Sequence, residues 1–249
     1  MPAFSDHFAI VARSYATYRP HYPAALFDWL ASSSRERERA WDCGTGSGQA
    51  AVALASRFVD VVATDASMSQ LGTAECAAGL SYVAMTAEQA ALGARSTDLV
   101  TVAQALHWFD HRRFFTEVDR VLKPGGALAV WSYGLLAVEP TIDAVLRHFY
   151  FDVLAHHWPV ERALVDSGYA GIALPYPEVD APGFAMTATW SLARLGGYLS
   201  TWSAVGRYRI AVGVDPLPEL MRQLESAWGT TGERRIHWPL VVRLARKDM

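Results

Sequence analysis

Short apolar runs rich in β-branched residues alternate with amphipathic stretches along the first half of the chain. Five segments have the length and composition of buried strands: residues 39–41, 60–65, 80–85, 98–103 and 127–132. Residues 49–58 and 112–122 carry apolar side chains at helical spacing. Strands that alternate with helices form parallel sheets covered by helices on both faces. We therefore predict an α/β fold with a doubly wound sheet.

The regular alternation stops after residue 132. Residues 141–151 show helical spacing, but the chain between 156 and 182 is rich in proline and aromatic residues. This composition predicts an inserted helical cap rather than another strand–helix–strand unit. In the last quarter of the chain we expect strands at 184–190 and 236–244 with helices between them.

Two residues of the last quarter carry specific expectations. Ser191 is expected to cap a helix that continues through Trp202, because a serine hydroxyl can accept a hydrogen bond from a free N–H of the first helical turn. Pro239 cannot donate a hydrogen bond within a sheet. We therefore expect the final strand, residues 236–244, to lie at an edge or to contain a bulge.

Glycines cluster where the first strand turns into the first helix, in the run Trp41-Asp42-Cys43-Gly44-Thr45-Gly46-Ser47-Gly48-Gln49. Such a turn brings backbone N–H groups and the positive helix end to one point, and glycine lets a ligand touch the main chain. A tight turn without a ligand is the alternative. Asp65 ends the next strand roughly 20 residues later, where doubly wound folds bind ribose hydroxyls. Asp65 or Ser67 could instead cap the next helix.

Polar residues also follow the third and fourth strands, at the sheet edge where open α/β folds bind ligands. Glu88 could accept a hydrogen bond from an adenine-type amino group, or begin a short helix as a first-turn acid. The fourth strand leads into Gln104-Ala105-Leu106-His107-Trp108-Phe109. His107 is the candidate catalytic residue of this run, as a general base, with a packed, hydrogen-bonded histidine as the alternative.

The N-terminal segment before Pro20 is dense in hydroxyl groups. Tyr15 and Arg19 could close as a lid over the glycine loop and hydrogen-bond a ligand carboxylate. The alternative is a surface linker whose tyrosines pack on the sheet edge.

Charge and cysteine content narrow the classes of function. A net charge of -3 and a pI of about 6.2 argue against a nucleic-acid or membrane partner. Cys43 and Cys76 show neither metal-ligand spacing nor a disulfide framework, so both are predicted to be small buried hydrophobes. The three histidines His148, His156 and His157 lack a metal-binding pattern, and we expect no metal. Without signal-peptide features or a long apolar run, we expect a cytoplasmic protein.

Taken together, these motifs resemble the class I S-adenosylmethionine-dependent methyltransferases. The matching pieces are Asp42-x-Gly44-x-Gly46-x-Gly48, Asp65, Ala87-Glu88, Gln104-Ala105 and the Leu122-Lys123-Pro124-Gly125-Gly126 turn. A nicotinamide oxidoreductase is disfavoured, because the third glycine comes one residue early. The resemblance implies a Rossmann-like, seven-stranded sheet whose last strand is antiparallel, with residues 184–190 and 236–244 as the final pair.

Three further stretches look like the type 11 subgroup, which includes the trans-aconitate methyltransferase-like proteins. They are Tyr18-Arg19-Pro20-x-Tyr22-Pro23, Ala105-Leu106-His107-Trp108-Phe109 and Tyr198-Leu199-Ser200-Thr201-Trp202-Ser203. The whole chain, residues 1–249, is then one methyltransferase domain. We divide it into a lid with the first helix (1–37), a cofactor-binding core (38–132), a cap (133–183) and a C-terminal strand–helix–strand part (184–249).

By that resemblance the cofactor is S-adenosylmethionine, with the glycines against its methionine moiety and Asp65 on its ribose. Met68 would flank the adenine, Glu88 would lie near the adenine amino group, and Gln104 with Ala105 would line the sulfonium side. The residues implied at the cofactor are Tyr15, Arg19, Asp42, Gly44, Gly46, Gly48, Asp65, Ala66, Met68, Ala87, Glu88, Gln104 and Ala105.

The methyl acceptor is expected to be a small molecule, with a carboxylic acid slightly favoured. A carboxylate needs no general base but only arginines to hold it, whereas a hydroxyl or carbon acceptor needs a base such as His107. The candidate acceptor pocket consists of Trp108, Tyr133, Tyr198, Trp202 and Arg207. The alternative is a cofactor-binding protein without methyl-transfer activity that acts through partner contacts. We expect a monomer or a homodimer.

Overall fold

An eight-stranded sheet organises the chain, seen in a computed structural model that describes residues 18–230 and 232–249. The strand order is β3-β2-β1-β4-β5-β8, and both β6 and β7 pair with the far edge of β8. The strands are β1 (Arg39–Cys43), β2 (Asp60–Asp65), β3 (Leu80–Ala84), β4 (Thr97–Ala103), β5 (Leu122–Tyr133), β6 (Glu178–Val179), β7 (Phe184–Ser191) and β8 (Glu233–Arg246).

The first five strands are parallel to one another, and β8 runs antiparallel to β5 and β7. This arrangement confirms the mostly parallel, Rossmann-like sheet and the pairing of its last two long strands. Because β1 is parallel to both β2 and β4, the carboxyl ends of these three strands lie at one edge of the sheet. Ligands bind at this edge in open α/β sheets.

Nine α-helices accompany the strands in the part of the chain that the structure describes. They are α1 (Ala24–Ser33), α2 (Gln49–Ala55), α3 (Met68–Leu71), α4 (His111–Val121), α5 (Pro140–His148), α6 (Arg162–Asp166), α7 (Leu192–Ser200), α8 (Ser203–Val212) and α9 (Leu217–Trp228). Apolar residues at helical spacing predict a further helix over residues 4–18, which fall almost wholly outside the described part of the chain. None of the helices described could cross a membrane by its length and apolar character.

Several predicted boundaries were wrong. The apolar residues Met68, Leu71 and Cys76 predict a helix from Ser67 to about Gly79, but α3 ends at Leu71. The helix expected to reach Trp202 ends at Ser200, and α8 follows it. Gly72 directly follows α3, and glycine is a weak helix former. Cys76, expected to be buried, is exposed, whereas Cys43 is buried at the end of β1.

Pro239 lies inside the sheet, so the expectation of an edge strand was wrong. It pairs with Ala185 of β7 in continuous register, without a bulge. His237 exchanges two backbone hydrogen bonds with Ala137 on the other side, and alternate residues of an antiparallel strand point their backbone groups the same way. The missing N–H of Pro239 would therefore face the gap between Ala137 and the last β5 pair, Tyr133 with Leu240. A proline removes no ladder bond there.

The segment after β5 forms a cap over the carboxyl edge of the sheet. It contains α5, a π-helical turn at Phe149–Val153 and the short helix α6, which packs against β5 and the 3-10 turn Leu106–Trp108. The cap therefore contacts the segment that follows β4. Beyond it, the two-residue strand β6 joins the sheet at β8, a pairing that the sequence pattern did not predict.

Trp238 joins the sheet to the helices of the C-terminal part. Its fully buried ring lies 5.0 Å from Trp190 of β7 and 5.7 Å from Tyr198 of α7, measured between ring centroids. We expect Trp238→Ala to lower the free energy of unfolding by about 3–5 kcal/mol, because it leaves a large cavity. Ile210→Ala, at a side chain 88% exposed on α8, should change it by less than about 0.5 kcal/mol. Chemical denaturation measures both, and equal losses would contradict this account of the core.

Candidate cofactor and acceptor site

The loop between β1 and α2 requires glycine at its three repeated positions. Gly44, Gly46 and Gly48 have φ values of 68°, 57° and 84°, in the left-handed region that glycine tolerates best. A Cβ atom on Gly44 would lie 2.6 Å from the Cβ of Ala105, and one on Gly48 would overlap the hydroxyl of Tyr82. The loop thus packs directly against the segment that follows β4 and against a side chain of β3.

Asp42 supports this loop from behind. Its carboxylate is fully buried and accepts hydrogen bonds from the hydroxyls of Thr45 at 2.5 Å and Thr101 at 2.7 Å. Burial raises the pKa of Asp42 to about 6, although both threonine bonds oppose that rise. Asp42 therefore ties the glycine loop to β4, and its own side chain is enclosed by the protein.

Asp65 holds the same loop from the end of β2. Its Oδ2 accepts from the N–H of Gly46 and its Oδ1 from the N–H of Ser67, both at 2.8 Å. Ser67, not Asp65, caps α3, because its hydroxyl accepts from the N–H of Gln70. Asp65 thus lies half-buried beside Gly46 at the carboxyl edge of the sheet, where the sequence predicted ribose binding.

Gln70 adds a polar group that the sequence analysis missed. Its amide oxygen is buried and has no hydrogen-bond partner among the described residues. A Cβ on Gly46 would lie 3.9 Å from this oxygen, so the acceptor sits beside the glycine loop. A buried acceptor without a donor is costly, and a ligand with hydroxyl or amino groups would supply one. S-adenosylmethionine, which carries both kinds of donor, fits this feature.

Gln104 shapes the part of the site at the ends of β4 and β5. It has a φ of 56°, unusual for a residue other than glycine, and its side-chain amide pairs with the backbone N–H and C=O of Tyr133 at 3.2 and 3.0 Å. The side-chain amide of Gln104 thus takes the place of a backbone pair between the ends of β4 and β5. The chain can then turn so that Ala105 contacts Gly44.

The remaining residues predicted at the cofactor surround the same edge. Glu88 does not begin a helix, and its carboxylate accepts from the N–H of Asp110 at 3.0 Å, which joins the segments after β3 and β4. Ala66 is half-buried, Ala87 is buried, and Met68 is 70% exposed at the start of α3. Tyr15 lies outside the described residues.

Arg19 reaches the end of β5. It donates to the hydroxyl of Tyr133 at 3.0 Å, and its guanidinium lies over the ring of Tyr198 at 5.2 Å. The segment before α1 is also joined to the glycine loop, because the side chain of Gln49 donates to the carbonyl of Pro20 at 3.1 Å. These contacts place Arg19 between the cofactor loop and the C-terminal aromatic residues.

Aromatic side chains from the cap and from α7 meet beside Arg19. Trp202 lies within 5.5–5.9 Å of Tyr150, Trp158 and Tyr198, measured between ring centroids. We call these four residues, with Tyr133, the aromatic wall. Tyr133, Tyr198 and Trp202 were predicted for the acceptor pocket, and Tyr150 is an addition from the cap. The fourth predicted aromatic residue, Trp108, is 39% exposed, and its ring packs at a tilt of 45° against His107.

The imidazole of His107 is packed against other side chains rather than open to solvent. Its Nδ1 lies 3.0 Å from the hydroxyl of the fully buried Tyr169. Burial, with smaller effects from the charges of Arg162 and His111, lowers the pKa of His107 to about 3. The imidazole is therefore neutral at pH 7 and a weak base, which reduces the case for His107 as a general base.

A second arginine, Arg162, lies among the aromatic residues, whereas the predicted Arg207 does not. Arg207 is exposed on α8, and the neighbouring Arg209 forms an ion pair with Asp215. The guanidinium of Arg162 lies over the rings of Trp158 and Tyr150, at 5.0 and 5.4 Å. No sequence pattern pointed to Arg162, because it lies on a five-residue helix of the irregular cap.

The chain is similar to known proteins in sequence and in fold. The family model Methyltransf_11, a methyltransferase domain, matches residues 41–130. A protein of Dictyostelium discoideum named as a methyltransferase is 33% identical over 98% of this chain and 96% of its own length. The solved structure of a protein from Anaeromyxobacter dehalogenans, described as a type II methyltransferase, has a TM-score of 0.88 at 41% identity, covering 93% of this chain and all of that one.

A second solved structure bears on the fold alone. Phosphoethanolamine N-methyltransferase 2 of Haemonchus contortus, solved with phosphomonomethylethanolamine and S-adenosylhomocysteine, has a TM-score of 0.51 at 16% identity, over 98% of this chain and 58% of that one. The fold and the glycine loop define a class I methyltransferase. The chain belongs to the S-adenosylmethionine-dependent methyltransferases, and S-adenosylmethionine is its cofactor. The finer likeness to trans-aconitate methyltransferases stays a prediction.

We expect Asp42 to make stability fall with rising pH. Its folded-state pKa of about 6 lies above the ordinary 3.8, so between these values the folded chain binds more protons than the unfolded chain. This linkage removes about 2 kcal/mol between pH 4 and pH 7. The free energy of unfolding of Asp42→Asn, compared with that of the wild type, should therefore rise by the same amount between pH 4 and pH 7. Urea denaturation at both pH values measures the gain, and a constant difference would contradict the raised pKa.

Asp65→Ala should weaken S-adenosylmethionine binding by about 1.5–3 kcal/mol, because it removes a charged acceptor and frees the N–H groups of Gly46 and Ser67. Asp60→Ala is the matched control, since Asp60 begins the same strand and forms a half-exposed ion pair with Arg39. Calorimetry should show near wild-type affinity for this control. Unchanged affinity in Asp65→Ala would remove Asp65 from the site.

Proposed function

We propose that this methyltransferase acts on a small molecule and methylates a carboxylate oxygen. The observation that carries the proposal is the state of His107, the one histidine predicted to act as a base. Its imidazole is hydrogen-bonded to the hydroxyl of Tyr169, and burial lowers its pKa, so it is neutral at pH 7. A carboxylate is ionised at pH 7 and needs no proton removed, so it suits a site with a weak base.

The position of the cap favours the proposal of a small acceptor. The aromatic wall forms on the same sheet edge as the glycine loop, and α6 packs on the turn that follows Ala105. Such surroundings suit the transfer, because S-adenosylmethionine supplies its methyl group to a nucleophile in line with the C–S bond. With an anionic acceptor, opposite charges neutralise as the new C–O bond forms and the C–S electrons return to sulfur. A pocket with few water molecules favours charge neutralisation.

The proposal is tested with tritiated S-adenosylmethionine and a panel of aromatic and aliphatic carboxylic acids, each paired with its amide. We expect transfer to at least one acid, recovered as a base-labile methyl ester, and none to the amides. The alternative, a cofactor-binding protein that acts through partner contacts, predicts cofactor binding without transfer to any member of the panel. Transfer to hydroxyl or amine compounds alone would refute carboxylate methylation.

The pH dependence of turnover gives a second test. Because the acceptor carboxylate and His107 both keep their charge above pH 6, kcat should stay within about twofold from pH 6 to pH 9. His107→Gln should leave this flat profile unchanged, since glutamine keeps a hydrogen-bonding group for Tyr169. If kcat instead rises with pH through an inflection that His107→Gln abolishes, then His107 is the general base.

A further inference from the structure

Two neighbours hold the guanidinium of Arg162 in place through a single nitrogen. Its Nε donates to the hydroxyl of Tyr150 at 2.6 Å and to Oδ1 of Asp166 at 3.0 Å. The Tyr150 hydroxyl in turn donates to Asp166, whose two oxygens lie 2.8 and 3.0 Å away. Together with the rings of Trp158 and Tyr150, these bonds fix the plane of the guanidinium.

The other end of the guanidinium remains available. Neither terminal nitrogen of Arg162 donates a hydrogen bond to a residue within 18–230 or 232–249. The side chain is nevertheless only 22% exposed, so these donors lie in partly dry surroundings. Arginine presents its terminal N–H groups as a planar fork that matches the two oxygens of a carboxylate or a phosphate.

The position of α6 brings Arg162 to the aromatic wall. The helix packs against both β5 and the turn Leu106–Trp108, and the guanidinium of Arg162 lies over the rings of Trp158 and Tyr150. Tyr198 also lies under the guanidinium of Arg19, on the cofactor side. Arg162 thus contacts the residues of the aromatic wall that belong to the cap. The glycine loop lies next to Ala105, which precedes the turn that α6 contacts.

We propose that Arg162 is the specificity-determining residue of the acceptor site, where its two terminal nitrogens bind an anionic oxygen group of the acceptor, a carboxylate or a phosphate. Tyr150 and Asp166 are positioning residues that hold the fork. This assignment rests on the proposed function, because it presumes that the aromatic wall lines the acceptor pocket. It predicts a preference for anions over neutral molecules of the same shape.

Anion binding can be measured without methyl transfer. The full-length protein, saturated with S-adenosylhomocysteine, is titrated with benzoate, phenyl phosphate and the neutral benzamide. Tryptophan fluorescence follows binding, because Trp158 lies under the guanidinium of Arg162 and packs against Trp202, and calorimetry confirms the affinities. We expect at least one anion to bind tenfold or more tightly than benzamide, and the tighter of the two anions identifies the oxygen group.

Arg162→Gln should reduce that preference to less than twofold and leave S-adenosylhomocysteine affinity unchanged. Arg147→Gln is the matched control, because Arg147 stacks on Phe151 of the same cap but is exposed, and it should keep the full preference. If the lone Asp166 carboxylate prevents folding of Arg162→Gln, the double variant Arg162→Gln/Asp166→Asn removes both charges and should give the same loss. Arg162→Lys, which keeps the charge without the fork, should give an intermediate preference.

The proposal is overturned if the wild type binds neither anion more tightly than benzamide. A full preference in a folded variant without Arg162 would also overturn it. The outcome is separable from the proposed function. If an acid accepts methyl while the preference survives the substitution, only the role of Arg162 fails. If Arg162 governs anion binding but no acid accepts methyl, only carboxylate methylation fails.

Discussion

The carboxylate of Asp42, buried at the end of β1, holds the cofactor loop in the conformation on which the site depends. Such burial is unfavourable for a charge, and the hydroxyls of Thr45 and Thr101 offset part of it. Asp65 fixes the other side of the loop through the N–H of Gly46. Two carboxylates from neighbouring strands thus hold three glycines in left-handed conformations, with the loop backbone at the carboxyl edge of the sheet.

The second half of the chain builds the other side of the site. Because β8 runs antiparallel between β5 and β7, the helices α7 and α8 return to the edge that the glycine loop occupies. Tyr198 and Trp202 then meet Tyr150 and Trp158 of the cap. In our proposal the first half of the chain supplies the cofactor contacts, and the second half supplies the surface that selects an acceptor.

The sequence predicted best where local pattern and fold agree. β2 begins and ends at the residues expected, because a run of β-branched residues between polar ends suits a buried parallel strand. Predictions failed where distant segments decide the outcome. Pro239 is accommodated in an inner strand by the gap beside Ala137, a segment that only folding brings next to β8. Arg162 escaped notice for the same reason, since its partners Tyr150 and Asp166 lie on different helical turns of an irregular segment.

The central claim is that the loop held by Asp42 and Asp65 binds a sulfur-containing nucleoside cofactor. Calorimetric titration of the wild-type protein with S-adenosylmethionine, S-adenosylhomocysteine and NAD tests it most directly. We predict saturable binding of both sulfur compounds at one site with micromolar dissociation constants, and no heat of binding with NAD. Binding of NAD, or no binding of either sulfur compound, would contradict the assignment of the glycine loop to this cofactor.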